Sequence, residues 1–301
     1  MDLSVPLVNQ DARLGSHQKE KSNAVIAGKA FQSRQELYSK IHIHLCTSGS
    51  ESCGIFVFKK NGFSALGMQR SLGIGTYQTS WLCLHKLRKA MVRPGRERLE
   101  GIVEVDEAFI GGEREGRRGR GVDGKVLALV AVEDKSYLDE KTGRKKRLLG
   151  RIRLCEIDDA SGESLLQAIK ENIEPGAVVR TDGWAGYANL EEHGYIHEIQ
   201  KPSSKYKSHV MDDMPFDDNE VGDYDSPLPN CHLVISLLKR WILGTLQGSM
   251  GKDYAQDYFN EFTFRFNRRN SKFRGMLFWR LAQLVVDKQP DTLKNIKNHK
   301  I

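Results

Sequence analysis

Ile102-Val103-Glu104-Val105-Asp106-Glu107-Ala108-Phe109-Ile110, closed by Gly111-Gly112, is the stretch that decides the fold. Its residues alternate in polarity and end at a glycine pair, the signature of a β-strand. Downstream, Val126 to Val132 and Gly150 to Ile157 read as two further strands. Ser161 to Ile173 reads as a helix, with Leu165, Leu166, Ile169 and Ile173 on one face and Glu163 near its start. Ala177 to Thr181 predicts a short buried strand, Trp184 to His193 a second helix and Tyr195 to Gln200 a fifth strand. A long helix is expected from about Pro229 to Leu243.

The order is strand, strand, strand, helix, strand, helix, strand, helix, which predicts an α/β fold: a mixed five-stranded sheet with helices on its faces. That order matches the ribonuclease H fold. Upstream, Ser64 to Leu72 and Tyr77 to Met91 predict two short helices around Gly73-Ile74-Gly75, the outline of a helix-turn-helix. Tyr77, Trp81, Leu84, Leu87 and Met91 form an apolar stripe on the second helix, and His85, Lys86, Arg88 and Lys89 lie on its other side. The expected division is a poorly patterned segment over 1–60, the helix-turn-helix over 61–95 and the sheet domain over 96–290, with an acidic insertion at 201–228.

The chain has 301 residues, 39% hydrophobic and 28% charged, enough for a sizeable core. Its net charge of +7 includes basic clusters at Arg114 to Arg120 and Arg265 to Arg269, so a polyanion is a plausible partner. The alternative is an ordinary solvated surface. Cys46, Cys53, Cys83, Cys155 and Cys231 are odd in number, spread out and without a C-x-x-C pair, which fits a reducing cytosol better than a disulfide framework. No run reaches the roughly 18 apolar residues of a membrane span, and no export signal opens the chain.

Asp106 falls late in the central strand, and Asp182 directly follows the fourth strand in Arg180-Thr181-Asp182-Gly183-Trp184. Those strands are neighbours in the ribonuclease H order. Two carboxylates brought together at a sheet edge repel unless a cation lies between them, and hard oxygen ligands select Mg²⁺ or Mn²⁺. The alternatives are an N-cap for Asp182 and a surface strand position for Asp106.

Several blocks together resemble the DDE transposases of bacterial insertion sequences with an ISXO-type catalytic domain. They are Gln78-Thr79-Ser80-Trp81 with Leu84 to Arg88, Val103 to Glu107 with Ile110-Gly111-Gly112, Thr181 to Trp184 with Gly186-Tyr187, Leu237 to Trp241 with Gly244-Thr245, and Glu261 to Arg269. The resemblance implies that Asp106 and Asp182 are the first two metal-binding carboxylates of a two-metal Mg²⁺ or Mn²⁺ site. The family's third acid lies seven residues before a Lys, and here that position, before Lys239, is His232. Positions seven apart share nearly one helix face, so His232 and Lys239 can address one site. Members of this branch replace the acid with Asn or His.

The resemblance further implies that the protein binds DNA, at an insertion sequence's terminal inverted repeats and at target sites, as a homo-oligomer, in the bacterial cytoplasm and nucleoid. Lys86, Lys89, Lys239, Arg240, Arg265, Arg268 and Arg269 are the expected phosphate contacts. Glu261, four residues before Arg265, suggests an i,i+4 ion pair and is the runner-up third carboxylate. Phe259, Phe262 and Phe266 recur at helical spacing and read as core.

Two features depart from the family. Relatives begin with a zinc ribbon, whereas His42, His44, Cys46 and Cys53 have no standard zinc spacing. The segment holding Asp212, Asp213, Asp217, Asp218, Glu220, Asp223 and Asp225 reads as a solvated acidic loop. With His232, these departures leave a catalytically decayed, DNA-binding relative as the alternative to an active enzyme.

Overall fold

The computed structural model describes residues 62–93, 95–111, 125–201, 226–248 and 250–273, with isolated positions at 277, 280, 281, 284 and 296. The expectations for residues 1–60, for Arg114 to Arg120 and for nearly all of the acidic insertion lie outside the described residues.

Two helices open the described chain, α1 (Ala65–Leu72) and α2 (Tyr77–Ala90). Ser64 and Thr76 cap them by accepting the N–H groups of Gly67 and Thr79, and Gly73 ends α1 in the left-handed region with φ 63°. The sheet is built from β1 (Ile102–Ile110), β2 (Val126–Asp134), β5 (Leu149–Ile157), β6 (Val178–Thr181) and β7 (Ile196–Ile199), in the spatial order β5-β2-β1-β6-β7. β1, β2 and β5 pair antiparallel, whereas β6 joins β1, and β7 joins β6, in parallel. This is the mixed sheet expected from the sequence.

β2 is buried on both faces, so its Val-Leu-Ala-Leu-Val-Ala-Val run needs no polar alternation. Helix α3 (Gly162–Asn172) covers one face, packing Leu165, Ala168 and Ile169 against Val103, Val105, Leu129 and Val179. Helices α4 (Pro229–Leu246) and α5 (Ala255–Phe266) cover the other, with Cys231, Val234, Leu238, Phe259 and Phe262 against Val130, Val132, Ile152 and Leu154. The core reading of Phe259 and Phe262 is met, and Phe266 packs at the margin of the same cluster.

The structure corrects one sequence expectation and adds two features that the sequence reading did not contain. Residues 184–193 form two single 3₁₀ turns, Ala185–Tyr187 and Glu191–His193, instead of one helix. Only Tyr187 and Leu190 of this segment reach the core, so it lacks a continuous apolar stripe. Gly186 also lies so near α3 that a Cβ there would stand 2.7 Å from Leu165. A small hairpin, β3 (Tyr137–Leu138) with β4 (Lys145–Lys146), separates β2 from β5. The polar side of α2 is not wholly open to solvent, because His85 and Arg88 are buried against α5. There His85 Nδ1 lies 2.8 Å from Asp257, and Arg88 Nε donates to Glu261 at 2.8 Å. Asp257 and Glu261 are one turn apart on α5, matching the three-residue spacing of His85 and Arg88 on α2.

Candidate active site

Asp106 and Asp182 are brought to corresponding positions by the parallel pairing of β1 and β6. The register aligns Ile102 with Val178, Val103 with Val179 and Glu104 with Arg180. Continued by two residues, it sets Asp106 level with Asp182, just past the end of β6. Gly183 turns the chain there with φ 86°, a conformation costly for a side-chain-bearing residue, and a Cβ would also stand 2.7 Å from Ile199. The Thr181 hydroxyl accepts the Gly183 N–H at 3.2 Å and contacts His197 Nε2 at 2.8 Å. Asp182 is exposed, and its Oδ1 accepts the Trp184 N–H at 2.9 Å, so the capping role considered as an alternative is also present.

His232 stands on the second turn of α4, with its Nε2 3.3 Å from Asp106 Oδ2. Its other ring nitrogen, Nδ1, is 2.6 Å from the Ser226 hydroxyl. The ring therefore faces Asp106 and is held from behind, with 31% of the side chain exposed. Lys239, two turns on, is half-buried.

The sequence reading missed the two glutamates that flank Asp106. Glu104 shares the Asp106 face of β1 and is buried beneath the start of α4. Its Oε2 accepts the N–H groups of Asn230 at 2.7 Å and Cys231 at 3.1 Å, while Oε1 accepts the Asn230 side-chain amide at 2.8 Å. A carboxylate at a helix N-terminus satisfies amides that the helix itself leaves unpaired. Burial pushes the Glu104 carboxyl upward, opposed by the Cys231 and Asn230 amides. Arg147 closes the network by donating to Asn230 Oδ1 at 2.7 Å and to the Pro229 carbonyl.

Glu107 accepts the Tyr187 hydroxyl at 2.6 Å and so ties the turn beyond Asp182 to β1. Burial raises the Glu107 carboxyl, the Tyr187 hydroxyl opposes that shift, and Asp106 and Asp182 both add to it. The two aspartates thus act on one neighbour. The signal available in the sequence was the parity of Glu104: an acid two residues from Asp106 in a strand must share its face.

The donor set suits a hard cation only in part. Asp106 and Asp182 offer carboxylate oxygens, and octahedral ligands at ~2.1 Å from an ion sit about 3.0 Å apart, near the 3.3 Å between Asp106 and His232. Imidazole is a softer donor than the acid it replaces. Among the described residues, no group of three or more His, Cys, Asp or Glu side chains is gathered to hold a metal ion.

The other sequence candidates divide clearly. Lys86 and Lys89 of α2 are half-buried, and Arg240 of α4 is exposed. Arg265 donates to Glu261 within α5 at 3.0 Å. Arg268 stacks on Phe264 at 3.9 Å, and Arg269 stacks on Phe266 at 4.1 Å while donating to the Gly150 and Leu149 carbonyls. Arg265 and Arg268 are thus engaged within α5, and Arg269 ties the end of that helix to the outer strand β5. Glu261 is fully buried between Arg88 and Arg265, as the i,i+4 reading expected, and not beside Asp106.

No described helix is long and apolar enough to cross a membrane. No curated protein sequence matches the chain. A family model described as an ISXO2-like transposase domain matches residues 98–267, from the lead into β1 through the end of α5. That span covers more than half of the chain and contains the whole sheet with Asp106, Asp182 and His232, so the chain belongs to the ISXO2-like transposase family, DNA-processing enzymes of phosphoryl transfer.

Proposed function

We propose that this transposase binds the terminal repeats of an insertion sequence, cuts the element's 3′ ends and joins them to target DNA at Asp106, Asp182 and His232. The supporting observation is the β1–β6 register, which sets Asp106 level with Asp182 while His232 Nε2 lies 3.3 Å from Asp106. Asp106 and Asp182 would hold Mg²⁺ or Mn²⁺, with His232 as the third ligand. When bound, the ions supply activation of a water or 3′-hydroxyl and stabilisation of the leaving oxygen. The Ser226 contact holds the His232 ring toward Asp106. Glu104 fixes the first turn of α4, and Glu107 fixes the Asp182 turn through Tyr187.

Lys239 and Arg240 take the DNA backbone beside the site, and Lys86 and Lys89 take it along α2. Arg265 and Arg268 act indirectly, within α5, and Arg269 by tying the end of that helix to β5. The protein works as a homo-oligomer on DNA in the bacterial nucleoid. The decisive experiment is Asp106→Asn in a metal-dependent cleavage assay on the element's own ends: cleavage is lost, and DNA binding stays close to wild type. Wild-type cleavage by the variant rejects the assignment.

A second reading, a DNA-binding relative without chemistry, is favoured by one observation: an imidazole occupies the third position and contacts Asp106 directly. It predicts no cleavage by the wild-type chain with either Mg²⁺ or Mn²⁺, and repeat binding that is insensitive to Asp106→Asn.

A further inference from the structure

We propose that the β3–β4 hairpin is a DNA-phosphate-binding arm seated beside the helix that carries His232; this rests on the transposase reading and adds a contact surface to it. From Lys135 to Arg147 the chain places six basic residues, Lys135, Lys141, Arg144, Lys145, Lys146 and Arg147, against Asp139 and Glu140. The net +4 of this short segment is more than half of the +7 carried by the whole chain. Such a concentration is the electrostatic footprint of a polyanion site when it is fixed in place and accessible.

The hairpin meets both conditions. Asp139 is turned into its own loop, where it accepts the Lys141 N–H at 3.0 Å and pairs with Lys146 Nζ at 2.5 Å. Its backbone N–H donates to the Arg144 carbonyl at 3.0 Å, and its carbonyl accepts the Gly143 N–H at 2.8 Å. The tip is therefore closed, with one of its two acids already neutralised. Arg147 points the other way and clamps Asn230 and Pro229 at the first turn of α4, two residues ahead of His232.

Two-residue strands do not sustain a hairpin in water without outside support, and the Arg147 clamp provides it. What the tip displays is exposed Lys141 and Arg144, with Tyr137 52% exposed and Leu138 70% exposed on the adjoining strand. Ammonium and guanidinium groups pair with phosphate oxygens, and a phenolic hydroxyl beside them adds a neutral donor to phosphate or sugar. Duplex DNA lying over Asp106 and His232 is the polyanion that this position serves.

The test is fluorescence anisotropy with the full chain and a labelled DNA duplex of arbitrary sequence across a series of salt concentrations. Wild type is compared with Lys141→Glu/Arg144→Glu, both exposed positions, and circular dichroism checks that the fold is kept. Removing two phosphate contacts makes the slope of log affinity against log salt shallower by about 2, with roughly tenfold weaker binding at low salt. An unchanged slope overturns the proposal. So does loss of binding to phosphatidylserine vesicles with DNA binding intact. Absence of DNA binding by the wild-type chain would instead overturn the reading on which the proposal rests.

Discussion

Replacing Glu261 with alanine separates a structural acid from a catalytic one. Its Oε2 accepts Arg88 Nε at 2.8 Å, and its Oε1 accepts Arg265 Nε at 3.0 Å, with the Arg88 side chain 2% exposed. Burial alone would raise this carboxyl, but Arg88 and Arg265 outweigh it and hold the group below the usual carboxylate range. Glu261→Ala leaves the Arg88 guanidinium buried without its counter-charge, and breaking a buried pair in this way costs about 3–5 kcal/mol. Each kcal/mol shifts the midpoint of a domain this size by about 2–4 °C, so Tm should fall by roughly 6–20 °C. Arg88→Met with Glu261→Leu removes the fully buried pair and leaves only Arg265, 13% exposed, without its carboxylate, so it should recover part of the loss. Thermal and urea unfolding followed by circular dichroism measure both variants. A loss below about 1 kcal/mol, the range of an exposed pair, would refute the reasoning. So would a double variant no better than the single one. If Glu261→Ala kept its Tm and lost metal-dependent cleavage, Glu261 would return as the third ligand.

Three further outcomes follow from the same geometry. Burial holds the His85 imidazole below its usual range, although Asp257 opposes the shift, and its Nε2 has no hydrogen-bond partner among the described residues. The unfolded chain therefore takes up the proton first, and the contribution of His85 is complete above about pH 6.5 and lost as pH falls below it. Urea midpoints measured from pH 8 to 5 should show this decline in wild type and a flatter one in His85→Gln; equal slopes count against it. Glu104→Gln replaces a carboxylate that accepts three buried donors, at a cost of about 1.5–3 kcal/mol, and a crystal structure of the variant should show His232 Nε2 more than 3.3 Å from Asp106. An unmoved ring removes Glu104 from the positioning role. His232→Ala should weaken cleavage without unfolding the protein, and His232→Glu should preserve or raise activity with Mg²⁺, since a carboxylate is the harder ligand. Wild-type cleavage by His232→Ala decides against His232 as a ligand.

The sequence by itself determined the sheet and the alignment of the two aspartates. Strand alternation, glycine punctuation and helix caps are local signals, so β1, β2, β5 and β6 were legible almost to the residue, as were α3 and the start of α4. Once β1 and β6 are neighbours, the position of Asp182 relative to Asp106 follows from register alone. Tertiary structure decided what each charged side chain does. Arg88, Arg268 and Arg269 read only as basic positions because sequence records charge and not what faces it, whereas the Arg265 pair with Glu261 was visible in the i,i+4 spacing. The partners of those three are Glu261, two aromatic rings and the carbonyls of residues 149 and 150, of which the last lie more than a hundred positions away. Glu104 read as one more strand acid for the same reason, although it caps a helix 126 residues downstream. The single helix expected over 184–193 failed because only Tyr187 and Leu190 of the segment are taken into the core, too few and too unevenly spaced for one continuous helical face.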